Sequence, residues 1–317
     1  MSERGAHWAE LGENTFVAGI WLLYGIERLL GRRLFRCCLY PVVLAYWLGR
    51  PDVRAQSRQY LDRLQAATGA LGRPARRRDT FSHLLTFADT LLDKLLAVAG
   101  RYPLQRVRTL GAEPILAAIR AGQGGVIVTA HVGCLELCRA LAERTETLKL
   151  TVLVHTRHAE QFNRVLRRLN PDTALTLLEV SELGPATAVM LAERVEAGEY
   201  VVIAGDRVPV GSGQTVTVPF LGHDAAFPVG PYLLASLFKC PLYLLGCLHD
   251  GEGYALHFEL LAGRVVLPRQ QRQQALAAQA SRYAGRLGAL LAASPYDWFN
   301  FFPFWEQKAL PHAVRST

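Results

Sequence analysis

A histidine and a glutamate five positions apart, His131 and Glu136, lie in the stretch Gly124–Arg144, GGVIVTAHVGCLELCRALAER. An apolar, β-branched run ends at Ala130, His131 follows at once, and a helical pattern begins around Gly133. Within one continuous helix, positions five apart diverge by about 140°. With His131 in a strand-to-helix turn, the first helical turn brings the Glu136 carboxylate to the imidazole. A carboxylate on one ring nitrogen fixes the tautomer and leaves the other nitrogen to take a proton from a hydroxyl. That is general-base chemistry without a nucleophilic serine. A capping histidine beside an unrelated surface glutamate would give the same letters, but the end of a buried strand is where α/β enzymes place their sites. His131, Cys134 and Cys138 also fall three and four apart, as metal ligands can. No fourth ligand or paired-cysteine motif completes a zinc site, and the reading is no metal.

Three further charged positions, Arg157, Asp206 and Arg207, fall at turns that follow strand-like runs, on the side expected for a site. Arg157 or Arg207 suits a phosphate or carboxylate, and Asp206 suits a sugar-like hydroxyl or a neighbouring arginine. Arg164, Arg167 and Arg168 read as one solvated helix face, with Arg168 the candidate phosphate contact among them. Gly211-Ser212-Gly213 is not a P-loop, because no Lys-Ser/Thr follows it.

The elements that must hold these residues change character along the chain. Up to about residue 100 the pattern is helical, with an apolar stripe from Phe81 to Leu96 and an arginine-rich loop at Gly69–Arg78. From about residue 105, short β-rich runs alternate with helical stretches. The runs are Gly125–Ala130, Leu148–His155, Ala174–Val180, Tyr200–Ala204, Thr215–Phe220, Pro241–Leu248 and Tyr254–Leu261. Alternation of this kind predicts an α/β fold, a mixed central sheet flanked by helices with antiparallel strands near the end. The division read from it is a helical, membrane-proximal region over 1–100 and an α/β domain over 101–317. The aromatic tail, Trp298 to Trp305, reads first as core packing and otherwise as an acyl-chain wall or membrane contact.

Half of the 317 residues are apolar, which excludes disorder as the dominant state, and 35 Lys+Arg against 27 Asp+Glu leave a net charge of +8. The charge calls for an anionic partner. Scattered arginines with no aromatic-interleaved basic module argue against nucleic acid. The six cysteines are an adjacent pair, Cys37 and Cys38, and four within apolar stretches, as reduced thiols are placed. Glu3, Glu10 and Glu13 stand where a secretory leader would be basic, so a reducing, cytoplasmic setting is expected. The apolar runs Phe16–Leu30 and Cys37–Leu48 are interrupted or too short to span a bilayer, and Arg28, Arg32, Arg33 and Arg36 crowd between them. They predict shallow attachment to an anionic leaflet.

The H-V-G-C-L-E block resembles the H-x-x-x-x-[D/E] signature of the lysophospholipid acyltransferase-like superfamily, and its strand–H-x-G-x-x-E–helix form resembles the late acyltransferases of lipid A biosynthesis. Three more blocks follow in the family's order: Val154–Pro171, then Ile203–Ala235 with its Asp-containing turn and V-P-F-x-G, then the terminal PYDWFNFFPFW. The resemblance covers roughly residues 100–305. The lipid A enzymes usually show Asp-Gln where this chain has Asp206-Arg207, a form closer to a side branch associated with aryl polyene and related lipid clusters.

The resemblance implies a fatty acyl group moved from an acyl-carrier-protein or CoA thioester to a hydroxyl of a lipid or glycolipid. His131 would be the base and Glu136 its orienting partner. No cofactor is implied, the thioester being a co-substrate. The location implied is the cytoplasmic face of the inner membrane. A glycerolipid or lysophospholipid acceptor and a catalytically silent membrane-bound binding protein are the competing readings.

Overall fold

A computed structural model describes residues 16–145, 149–154, 176–179, 184–208 and 214–307. Among the described residues three helices precede the first strand: α1 (Phe16–Gly49), α2 (Pro51–Thr68) and α3 (Arg77–Val98). The path of α1 is broken at Gly31, whose φ of 80° and ψ of 170° are non-helical. Beyond that break Phe35, Leu39 and Val43 recur every fourth residue and are buried, the spacing that puts one helix face on a neighbour. The neighbour is α3, and Arg32 clamps the join by reaching Asp93 of α3 at 2.5 Å. Pro51 opens α2, where a missing N–H costs nothing. Asp79 caps α3 by accepting the Arg76 N–H at 2.6 Å.

The strands are β1 (Val107–Leu110), β2 (Gly125–Thr129), β3 (Leu150–Val154), β4 (Thr176–Glu179), β5 (Tyr200–Ala204), β6 (Thr215–Phe220), β7 (His223–Pro228), β8 (Leu242–Asp250) and β9 (Gly253–Ala262). Seven form one sheet in the order β1-β9-β8-β2-β5-β3-β4. Every pairing in it is parallel except the β8–β9 hairpin. The mixed sheet expected from the alternating pattern is present, with its antiparallel pair near the end. Two details differ. Thr215–Phe220 leaves the main sheet and pairs with β7 as a separate hairpin, and β1 is a strand of only four largely exposed residues that the alternating pattern does not pick out.

The sheet is covered on both faces, and β2 shows how. All five of its residues are buried, as a central parallel strand requires. Val126 and Val128 face one apolar cluster, shared with the hairpin and with α8 (Arg272–Ala293). Ile127 faces the other, shared with α1, α3 and α5 (Glu136–Thr145). Helices α4 (Glu113–Arg120), α6 (Pro185–Glu196) and α7 (Gly230–Leu237) lie in further connections between the strands. No helix among the described residues is long and apolar enough to cross a membrane.

Candidate active site

The central strands β2 and β5 lie side by side and parallel, with Thr129 opposite Ala204. Two residues beyond that last pair stand His131 and Asp206, so the register of the sheet brings them together at the C-terminal ends of the strands. The turn between them is tight. Gly205 donates its N–H to the Thr129 carbonyl at 2.8 Å, and a Cβ there would fall 2.5 Å from Val128 Cγ2. Only glycine fits this approach.

The imidazole is gripped at two points. Its Nδ1–H donates to Asp206 Oδ1 at 2.8 Å, and the His131 backbone N–H donates to Oδ2 at 3.0 Å. The same Oδ2 accepts from Trp298 Nε1 at 3.0 Å and Asn300 Nδ2 at 2.9 Å. Asp206 is fully buried, while His131 keeps 37% of its side chain exposed. Burial alone would raise the Asp206 carboxyl. The charge and hydrogen bond of His131, with the Arg207 charge, outweigh it and hold the group well below the usual carboxylate range. Burial, with help from Arg207, lowers the imidazole below its ordinary value against the opposing pull of Asp206. The pair rests as carboxylate and neutral imidazole, with Nε2 on the edge opposite Asp206.

The partner expected for the imidazole was Glu136, and the geometry assigns that place to Asp206. Glu136 is the first residue of α5, and its Oε1 takes a hydrogen bond from Lys94 Nζ at 3.3 Å. The helix starts three residues later than the apolar pattern implied because the preceding turn is held elsewhere. Gly133 has φ +48°, and a Cβ on it would overlap the Cys247 carbonyl. Its N–H donates to the Asp297 carbonyl at 2.9 Å, and the Cys134 N–H donates to the Cys247 carbonyl at 3.2 Å. Both amides are therefore occupied. No acceptor among the described residues takes the Leu135 or Glu136 N–H.

Arg207 donates from Nε to Asn300 Oδ1 at 2.8 Å and from Nη2 to the Phe299 carbonyl at 2.9 Å, with its guanidinium 5.6 Å from the centre of the Phe302 ring. Burial pulls it down to about 10, against the attraction of Asp206. It secures the terminal segment rather than standing open. Arg157 and Arg168, the other proposed anion contacts, lie outside the described residues. Cys134 and Cys138 are buried in the apolar layer, where burial drives the first thiol well up and the second to about 12.

The aromatic tail is core, and it is also part of the site. Trp298 is fully buried against Tyr60, Phe220 and Phe304. A short bridge pairs it with Val132, and the Phe299 N–H donates to the His131 carbonyl at 2.9 Å. His83 of α3 donates from Nε2 to the Trp298 carbonyl at 2.8 Å and accepts the Ser57 hydroxyl at Nδ1, 2.9 Å. Sequence reasoning missed Trp298 and Asn300 as site residues. Their polar tips serve a carboxylate about ninety positions earlier in the chain, which no local spacing reveals.

Among known families, the model described as bacterial lipid A biosynthesis acyltransferase matches residues 99–307. That span contains His131, Glu136, Asp206, Arg207, Trp298 and Asn300. No curated protein matches the chain.

Proposed function

The chain belongs to the bacterial lipid A biosynthesis acyltransferase family and is an acyltransferase acting on lipid-like substrates; from that premise we propose that it transfers a fatty acyl group from an acyl-carrier-protein or CoA thioester to a hydroxyl of a glycolipid, with His131 as general base and Asp206 as its orienting acid. The observation that carries this reading is the two-point grip of the buried Asp206 carboxylate on His131. With Nδ1–H committed, Nε2 holds the lone pair. It takes the proton of the attacking hydroxyl as the oxygen adds to the thioester carbonyl. When the tetrahedral species collapses and the C–S bond breaks, Nε2–H returns that proton to the leaving sulfur. Such help is worth about 10²–10⁴ in rate.

The Leu135 and Glu136 amides at the start of α5 are the donors we assign to the oxyanion. Glu136, engaged by Lys94, ties this first turn to α3; its part is to fix the turn, not the tautomer. We further propose that the protein attaches to the cytoplasmic face of the inner membrane through α1. That helix exposes Leu34, Val42 and Leu48 beside exposed Arg28 and Arg33.

The test offers purified protein labelled acyl-carrier-protein and acyl-CoA donors with a panel of glycolipids and glycerolipids. Transfer to a glycolipid hydroxyl that His131→Ala abolishes, in a protein that still folds, is the expected result. Near-full transfer by a folded His131→Ala variant overturns the assignment. Transfer to glycerolipids alone overturns the acceptor.

A further inference from the structure

A second histidine is gripped in the same way one strand over. His249, near the C-terminal end of β8, donates Nδ1–H to Asp297 Oδ1 at 2.5 Å and its backbone N–H to Oδ2 at 2.6 Å. Asp297 is fully buried, and 28% of the His249 side chain is exposed. Because β8 runs parallel to β2, both histidines emerge at the same edge of the sheet. Ser294 does not complete a triad here. Its hydroxyl donates to Asp297 Oδ2 at 2.6 Å, on the far side of the carboxylate from Nε2. No group among the described residues bonds His249 Nε2, so this acceptor faces whatever enters beside it.

What lies beside it is a groove of about 340 Å³ between α1, α3 and the turn at 294–297, lined by Arg36, Leu39, Tyr40, Leu85 and Tyr296. That volume falls in the range of small-molecule sites. A second acceptor looks for a partner in the same lining. Asp89 Oδ1 is buried and unbonded among the described residues, while its Oδ2 holds Arg36 at 2.6 Å and Arg32 at 3.1 Å. A buried acceptor without a partner is unfavourable, so the site favours an incoming donor. The arginines are already matched by Asp89 and Asp93, which leaves no surplus positive charge for a phosphate or carboxylate. An anion entering the groove would meet the Asp89 carboxylate rather than an unmatched cation. Two acceptors, two tyrosine rings and two leucines describe a different guest.

We propose that His249, oriented by Asp297, presents an open hydrogen-bond acceptor, and that the groove beside it binds an uncharged amphiphile through its hydroxyl groups, with the alkyl part against Leu39, Leu85 and Tyr40. This site is separate from His131 and does not depend on the acyl-transfer reading.

The test uses the full chain and needs no turnover. Diethyl pyrocarbonate acylates an accessible imidazole nitrogen, and peptide mass spectrometry reads the rate at His249 by itself. Octyl glucoside below its micelle concentration is expected to slow that reaction at least fivefold, and octyl phosphate at equal concentration to leave it unchanged. His131→Ala should keep the protection, since the first site is not involved. Tyr40→Ala, at an exposed position that leaves the core intact, should remove most of it. The proposal is overturned if the glucoside gives no protection, if the phosphate protects equally, or if protection survives in Tyr40→Ala. Loss of protection in a folded His131→Ala protein also overturns it, because the two sites would then be one.

Discussion

Replacing Asp206 by asparagine changes one atom pair and reverses the proton arrangement of the whole centre. Three donors converge on Oδ2, from His131 N–H, Trp298 and Asn300, and one reaches Oδ1. The amide oxygen of the variant must therefore take the Oδ2 place, since the opposite flip would set an NH2 against three donors. The NH2 then faces His131 Nδ1, which must turn a lone pair towards it and move its hydrogen to Nε2. The base is lost with the geometry intact, and a wrong-tautomer histidine of this kind slows a dyad about 10³–10⁴-fold. Stability falls as well. The hydrogen bonds to Oδ2 lose their charge assistance and Arg207 loses a buried counter-charge, together about 2–4 kcal/mol. For a chain of 317 residues that is a fall of roughly 3–6 °C in melting temperature. The assay is single-turnover transfer from labelled thioester at neutral pH, alongside calorimetric melting. A variant that folds, melts within two degrees of the parent and keeps more than a tenth of the rate would refute the argument.

Glu136→Gln should cost much less than Asp206→Asn, roughly tenfold in transfer, because Glu136 meets Lys94 and not the imidazole; equal losses in both variants would return the orienting role to Glu136. The rate of the parent should stay on its plateau below pH 6.5 and decline only at more acid values, since His131 is held neutral below its ordinary range; a pH–rate profile with its acid limb above 6.5 contradicts this. Buried His83 has its value lowered to about 4 by desolvation. As pH falls from 6.5 towards 4 the unfolded chain takes up a proton that the folded chain refuses. About 3 kcal/mol of stability is lost over that window, and melting curves of His83→Gln should lack that slope. Exchanging Leu34, Val42 and Leu48 together for glutamine should weaken sedimentation with anionic vesicles and leave the fold unchanged; undiminished pelleting places the membrane contact elsewhere. Deleting residues 1–48 is a poorer probe, because it also removes the buried Phe35, Leu39 and Val43.

The α/β alternation, the buried strand ahead of His131 and the value of the histidine itself were legible because they are local. The apolar run Gly125–Ala130 predicts a buried strand, and the strand Gly125–Thr129 occupies that place. The partner of His131 was not legible in the same way. Placement in a strand-to-helix turn favoured Glu136, five residues on, whereas the sheet selected Asp206 by placing β5 against β2. Asp206 was noticed as a turn acid, but its pairing depends on strand order, which a single chain of letters does not contain. Trp298 illustrates the same limit from the other direction. Its aromatic company predicted burial, and burial is found, yet the indole N–H that reaches Asp206 is invisible to any count of hydrophobic neighbours.

The terminal segment around Trp298 and Asn300 has a consequence for how the protein comes into being. Asp206 and Asn300 are 94 positions apart, so on a translating ribosome the acid is made roughly 5–20 s before its last donor. Through that interval the carboxylate lacks two of the four bonds that allow it to be buried as an ion, and His131 has nothing firm to align against. The arrangement proposed for catalysis thus assembles only after residue 300 has been made, and a product terminated before it would carry both His131 and Asp206 without the donors that hold them.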